Sequence, residues 1–336
     1  MSNLYLKIPS SNKAKEDIDV IMEREGFVNV AFSFSSHNAI ARFLSKLISV
    51  LLLIVRVKKG DVVLVQYPFK KYYELVCNLT HMKGGEVITL IHDLGSFRRK
   101  KLTVAQENIR LSHTDVLIVH NEAMQDFLVK NDFKKPIVTL GIFDYLAPTV
   151  GKAPSKGDEE WQVVYAGGLA KRKNTFLYLL DEHIHGWHFN IHGKGLDEEY
   201  THDWKNITPC GFIASDDFIK DSIGHFGLVW DGSSIDECAG DWGVYLKVNN
   251  PHKTSFYLRS GKPVIMWRQA ALAPFVIKEG VGFAVESLKD IEECLRSITP
   301  QQYNEMCDKA SVISKRLEEG YYFKEAFSKA SALIRK

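Results

Sequence analysis

Short apolar runs separated by helix-length amphipathic stretches recur along this chain, and no other feature restricts its fold as much. In the first half, strands are expected at Leu4–Ile8, Val28–Phe34, Val62–Gln66, Glu86–His92, Val116–His120 and Ile137–Leu140. Helices are expected at Ala14–Glu25, Ala39–Val57, Tyr72–Met82, Val104–Ser112 and Glu122–Val129. Alternation of this kind gives a parallel sheet covered on both faces, because parallel neighbours need a crossover and the helix supplies it. Pro148–Asp158 has no apolar periodicity and is rich in Pro, Gly, Lys and Ser, which reads as a linker. The alternation then restarts, with strands at Gln162–Tyr165, His188–His192, Ile207–Cys210, Gly227–Trp230, Val264–Trp267 and Gly282–Val285. Helices are expected at Asn174–Leu180, Ser215–Ser222, Pro274–Lys278, Leu288–Ile298, Gln301–Leu317 and Tyr322–Ile334.

The expected class is therefore α/β, with two Rossmann-like parallel-sheet domains facing a cleft. Their bounds are 1–150 and 151–320, and a helix in 321–336 crosses back to the first domain. A length of 336 residues agrees, since a single core rarely organises that many. With 43 basic against 41 acidic residues, the chain lacks the charge of a general nucleic-acid binder. Its cysteines, Cys77, Cys210, Cys238, Cys294 and Cys307, are scattered and form no CxxC pair. That argues against a disulfide framework or a zinc site and fits a reducing cytoplasm. The opening Met-Ser-Asn-Leu-Tyr-Leu-Lys-Ile reads as a strand, not as a secretory leader. Phe43–Val57 is strongly apolar, but the uncharged run Leu47–Val55 is far short of the ~20 residues of a spanning helix. It reads as a buried or subunit-facing helix, so a homo-oligomer is expected. The alternative is a peripheral contact with the inner face of the cell membrane, helped by Lys58, Lys59, Lys70 and Lys71.

Chemistry concentrates at the carboxyl ends of the expected strands, where ligands of such sheets bind. Asn250 suits a helix N-cap and Pro251 the first helical position. Free amides beside His252, Lys253, Thr254 and Ser255 then form an anion site at the positive end of a helix dipole, fit for a diphosphate. Gly261-Lys262-Pro263 turns the chain into Val264–Trp267. Val163–Asn174 places Gly167 and Gly168 in a small-residue turn before Lys171, Arg172 and Lys173, where backbone can approach a phosphate and cations neutralise it. His192-Gly193-Lys194-Gly195 repeats that trend after the next strand.

In the first half, Leu90-Ile91-His92-Asp93-Leu94 ends a strand and is followed by Arg98, Arg99, Lys100 and Lys101. Asp93 is a candidate general base, His92 its rival, and helix capping or simple packing the competing reading. Pro9-Ser10-Ser11-Asn12-Lys13 follows the first strand, and Ser10, Ser11 and Asn12 are candidate acceptor contacts or a plain cap. Asp231, Asp236, Glu237 and Asp241 match no metal spacing and suit sugar hydroxyls or loop capping, and the histidines form no HExxH set, so no metal is expected.

Taken together, these residues resemble GT-B glycosyltransferases, and specifically the bacterial galactofuranosyltransferase-like family that also holds glucosyltransferases modifying serine-rich adhesins. The likeness runs along nearly the whole chain. It rests on Gly60-Asp61 with Gln66-Tyr67-Pro68, Leu90–Asp93, His120-Asn121 with Met124, and Phe143–Leu146. In the second half it rests on Tyr165-Ala166-Gly167, Gly227–Gly232, and Pro251-His252-Lys253 with Tyr257-Leu258.

The resemblance implies a UDP-sugar donor held by the second domain, a glycan or glycoprotein acceptor held by the first, and no cofactor beyond the donor itself. By position it implies that Lys253 and the Asn250–Ser255 helix start bind the diphosphate, with Gly167, Gly168 and Arg172 completing the site. Many retaining GT-B enzymes carry a glutamate in the helix before the Gly-x-Pro turn. Here His252–Tyr257 has no acidic residue, which favours an inverting displacement with Asp93 as base. The competing expectations are a non-catalytic homologue that binds nucleotide sugar as an assembly partner, and a UDP-sugar epimerase.

Overall fold

A computed structural model describes residues 2–7, 10–32, 39–69, 72–98 and 102–335. Pro9, Lys70, Lys71, Arg99, Lys100 and Lys101, all used in the sequence argument, lie outside the described residues. The chain divides into two compact units, Met1–Leu140 with Gly320–Lys336, and Gly141–Glu319.

The first unit runs β1 (Asn3–Tyr5), α1 (Lys13–Arg24), β2 (Val28–Asn29), α2 (Ala39–Arg56), β3 (Val62–Tyr67), α3 (Tyr73–Met82) and β4 (Glu86–Ile91). It continues through α4 (Gly95–Arg98), α5 (Val104–Leu111), β5 (Val116–Val119), α6 (Glu122–Lys130) and β6 (Ile137–Thr139). All neighbours pair in parallel, in the order β2-β1-β3-β4-β5-β6. The central strands are buried on both faces, as Val62–Val65 and Val116–Val119 show, which is why they read as continuous apolar runs and not as alternation. The strand order reverses between β1 and β3, so the crevice of this sheet opens beside their carboxyl ends.

The second unit holds β7 (Trp161–Gly168), β8 (Trp187–Lys194), β9 (Ile207–Gly211), α7 (Ser215–Asp221), β10 (Phe226–Val229), α8 (Gly240–Val244) and α9 (His252–Arg259). Then come β11 (Val264–Trp267), α10 (Ala273–Glu279), β12 (Gly282–Val285), α11 (Ile291–Ser297) and α12 (Pro300–Glu318). Its parallel sheet has the order β12-β11-β10-β7-β8-β9, a doubly wound Rossmann arrangement whose crevice opens between β7 and β10. Gly227 is needed on β10 because a Cβ there would stand 2.2 Å from the ring of buried Tyr257 on α9. The last helix, α13 (Tyr321–Ile334), belongs to the first unit, where Phe323 and Phe327 pack on Phe27.

The structure differs locally from the expected elements. Asn174–Leu180 forms a short 3-10 turn (Thr175–Tyr178) and no α-helix; Asn174, at its N-cap, makes no capping bond, and its amide donates to the Tyr165 hydroxyl and the Gly168 carbonyl. Helices α4 and α8, at four and five residues, are too short to carry a periodic signal. The second unit begins at Gly141, ahead of the Pro148–Asp158 stretch read as a linker. Along α2, Leu44, Ile48, Leu51 and Val55 are exposed, and among the described residues no helix is long and apolar enough to cross a membrane.

Candidate functional site

In the second unit the carboxyl ends of β7 and β8, the start of α7 and the start of α9 enclose a cavity of about 470 Å³. Gly167 and Gly168 from β7, and His192, Gly193 and Lys194 from β8, form one part of its wall. Phe212, Ile213, Ser215 and Phe218 form another, with Tyr145, His252, Lys253 and Phe256 completing it. Gly193 is obligatory here, because at φ +157° a Cβ would stand 1.8 Å from the Gly167 carbonyl oxygen. The aromatic lining is tightly interlocked, with Phe218 and Phe256 centroids 4.5 Å apart and Tyr145 stacked on His252 at 4.7 Å. Such a wall suits a flat ring, while the glycines and lysines suit an anion.

Lys253 Nζ donates to the Tyr165 hydroxyl at 2.8 Å and to Asp231 Oδ1 at 3.2 Å, and stands over the Tyr165 ring. Burial pushes its ammonium below the ordinary value, and Asp231 opposes that shift. The carboxylate just after β10 thus favours the charged form of Lys253 and aims its side chain. Asp231 is also 3.9 Å from Lys173 Nζ, so one carboxylate orients two cations at the crevice. His192 is buried, packs edge-on against Phe218, and has no hydrogen-bond partner for either ring nitrogen among the described residues. Burial, with Lys262 nearby, pushes its pKa down. At neutral pH the ring is therefore uncharged, with one donor and one acceptor nitrogen, both turned away from solvent.

Of the residues singled out for the nucleotide sugar, Gly167, Gly168, His252 and Lys253 line the cavity, while Lys171, Arg172, Asn250, Thr254 and Ser255 are absent from its lining. Lys171 Nζ lies 3.1 Å from the Tyr200 ring centroid, and Arg172 is exposed. Asn250 does not cap the helix. Pro251 is the N-cap, α9 starts at His252, and the Asn250 amide donates to the Gly141 carbonyl. Ser255 Oγ donates to the Phe143 carbonyl, and Thr254 is fully buried. Tyr145, Phe212, Phe218 and Phe256 are lining residues that sequence reasoning missed, since an aromatic with no periodic context looks like core.

In the first unit, His92 and Asp93 follow β4, and both are half-buried. Buried Glu107 on α5 holds the next turn: Oε1 accepts from Gly95 N at 2.8 Å and from the Tyr67 hydroxyl at 2.8 Å, and Oε2 accepts from Ser96 N at 2.9 Å. The backbone carrying Asp93 is therefore fixed by a carboxylate that sequence reading overlooked as an ordinary helix residue. Asn12 caps α1 by accepting from Ala14 N, and Ser10 Oγ accepts from Asn12 N, while Ser11 is exposed. Among the described residues no group of three or more His, Cys, Asp or Glu side chains is placed to hold a metal.

Both halves of the chain match family models, residues 2–142 that of the Glucosyltransferase 3-like N-terminal domain and residues 163–330 that of the Glucosyltransferase 3-like C-terminal domain. The β-1,6-galactofuranosyltransferase WbbI of Escherichia coli (strain K12) is 32% identical, over 79% of this chain and 77% of that protein. Glucosyltransferase 3 of Streptococcus gordonii is 24% identical, over 97% of this chain and 96% of that protein. In fold, the chain is similar to the lipopolysaccharide outer core galactosyltransferase WaaB, with a TM-score of 0.64 at 13% identity over 98% of this chain and 99% of the other. A glycosyltransferase from Rickettsia africae superposes with a TM-score of 0.59 at 11% identity, over 100% and 99%. Two Rossmann-like sheets of the GT-B kind and both domain models lead to one assignment: the chain belongs to the Glucosyltransferase 3-like family of glycosyltransferases.

Proposed function

We propose that this protein transfers a hexose, galactofuranose or glucose, from a UDP-sugar to a glycan or glycoconjugate by an inverting displacement that needs no metal. The observation that carries the donor side is the cavity of the second unit, where an aromatic wall adjoins the glycines and Lys253 at a Rossmann crevice. In this reading the uracil ring lies among the aromatics. The diphosphate meets Lys253 and the first amides of α9. The acceptor side belongs to the first unit. There Asp93 removes the hydroxyl proton as the acceptor oxygen attacks the anomeric carbon, and Lys253 with the helix amides stabilises the charge building on departing UDP. The printed activities of the two curated relatives support galactofuranose and glucose as the sugars to try first. The exposed apolar stripe of α2 supports an oligomeric or membrane-peripheral enzyme, and the scattered free cysteines support a cytoplasmic one.

The test is UDP release in the presence of chelator, across UDP-sugars including UDP-galactofuranose and UDP-glucose, with and without glycan acceptors. Acceptor-dependent release from one donor is expected. Release independent of acceptor points to hydrolysis, and interconversion of the donor without release points to an epimerase. Either result overturns the proposal.

Lys253→Ala is expected to weaken UDP binding by about 10- to 100-fold, roughly 1.4–2.7 kcal/mol, because a phosphate loses a direct, partly desolvated cation. Calorimetry at constant ionic strength reads this directly. An unchanged affinity would show that Lys253 serves only to neutralise Asp231.

A further inference from the structure

Four carboxylates follow β10, and the fold sets one of them apart. Asp236 is paired with Lys289 Nζ at 3.0 Å and with the Ser287 hydroxyl at 3.3 Å, while Glu237 and Asp241 are exposed. Asp231 stands at the crevice between β7 and β10, with 17% of its side chain exposed. Its Oδ1 accepts from Lys253 Nζ at 3.2 Å and from the Tyr165 hydroxyl at 3.4 Å, and Lys173 Nζ is 3.9 Å from the same atom. Its Oδ2 takes no hydrogen bond among the described residues. Nor is it one of the buried atoms left without a partner, so it is open to solvent.

The position of this carboxylate is set from both sides. The next residue, Gly232, donates its N–H to Asn174 Oδ1 at 3.4 Å, and the same Asn174 donates through Nδ2 to the Tyr165 hydroxyl at 2.9 Å. One amide therefore ties the turn after β10 to β7. On the other side α8 packs so closely that a Cβ on Gly243 would stand 2.7 Å from the Asp231 carbonyl oxygen. A polar group held this way is pre-organised for a ligand, because little ordering is left to be done when one arrives.

A UDP-hexose brings two kinds of polar group. Its phosphate oxygens need donors, which Lys253 and the first amides of α9 can supply. Its sugar hydroxyls need acceptors, and an ionised carboxylate oxygen only accepts. Lys253 joins the two regions: it lines the cavity assigned to the nucleotide, while its partner Asp231 is absent from that lining. The group bonded to the far side of the diphosphate is the hexose. We propose that Asp231 is a specificity-determining residue for the donor sugar, its Oδ1 holding Lys253 and its Oδ2 accepting a hydrogen bond from a hydroxyl of the hexose. The inference rests on the reading of this crevice as the UDP-sugar site.

The probes are UDP, the UDP-hexose that supports acceptor-dependent release, and the deoxyfluoro analogues of that donor at each sugar hydroxyl. They are titrated calorimetrically, without acceptor, into the full-length parent, Asp231→Asn and Asp231→Ala. Fluorine is close to a hydroxyl in size but cannot donate. The parent is expected to bind one analogue about tenfold more weakly than the natural donor, because a carboxylate oxygen then faces fluorine. In Asp231→Asn the direction of the amide is fixed by Lys253, which only donates. The amide oxygen keeps the place of Oδ1, and the NH2 group takes that of Oδ2. A donor now stands where an acceptor stood, so the penalty for that analogue should shrink to about twofold or less. UDP has no hexose, and its affinity for Asp231→Asn should stay within about threefold of the parent. Asp231→Ala removes both oxygens and should lose UDP affinity together with the discrimination.

A parent that tolerates fluorine at every position overturns the proposal, and needs no variant to fold. So does an equal penalty in the parent and in folded Asp231→Asn and Asp231→Ala, which would leave Asp231 as a counter-ion of Lys253 alone. Failure of the parent to bind UDP or any UDP-hexose would instead refute the donor-site reading, and the proposal with it.

Discussion

Asp93→Asn is expected to lower turnover by about a hundredfold or more while UDP affinity stays within about twofold, a loss of roughly 2.7 kcal/mol confined to the chemical step. The replacement is isosteric, and the turn that carries it is held from outside. Glu107 takes hydrogen bonds from Gly95 N, Ser96 N and the Tyr67 hydroxyl, none of which involves the Asp93 side chain. The backbone should stay in place, and what disappears is a group able to accept a proton. Binding should be spared because the residues proposed for UDP stand in the second unit, on β7, β8, α7 and α9. Single-turnover kinetics with donor in excess separates the two effects. Turnover near the parent rate would remove Asp93 as base and leave His92 as the next candidate. A matching loss of UDP affinity would mean instead that the carboxylate shapes the donor site.

The strands were legible because buried parallel strands are written as apolar runs. Val62–Val65, Val116–Val119 and Val264–Trp267 could hardly be anything else. The chemistry around α9 was only half legible, and the reason is physical. Asn250, His252 and Ser255 read as polar groups waiting for a phosphate, but the structure spends them on main-chain carbonyls of the segment leading into the second unit. Asn250 binds Gly141 O, His252 is 3.2 Å from Asp144 O, and Ser255 binds Phe143 O. Every residue has a carbonyl, so no pattern of residue types announces which one will be used. The same bonds explain why the second unit starts at Gly141. Lys253 does line the cavity, because its partners, Tyr165 on β7 and Asp231 just after β10, come from neighbouring strands at the crevice. The Gln66–His92 pair was out of reach for a related reason: it joins residues 26 apart that meet only once β3 and β4 are in register.

Arg259→Ala should cost the most stability of any single change considered, about 3–5 kcal/mol. Arg259 is fully buried at the last turn of α9. Its NH1 donates to Ser314 O and Ser314 Oγ, both at 3.0 Å, and to Glu318 Oε2 at 3.2 Å. Its NH2 donates to Ala147 O and Thr149 O, both at 3.0 Å. One guanidinium therefore ties α9 to α12 and to the segment that continues from Tyr145. Removing it leaves buried carbonyls without donors and a cavity where the side chain was, and both costs fall on the element that carries Lys253. For a unit of this size the transition should drop by roughly 10 °C. Arg259→Lys should recover little of the loss, because a single ammonium cannot span both sets of acceptors. The contrast with Lys253→Ala is the useful part. If α9 is a rigid platform, the Lys253 variant loses UDP affinity at an unchanged melting temperature. The Arg259 variant melts early, yet binds UDP at close to parent affinity when assayed well below its transition. Should Arg259→Ala lose UDP affinity in the cold while still folded, the anchor would be setting the shape of the donor site as well as its stability.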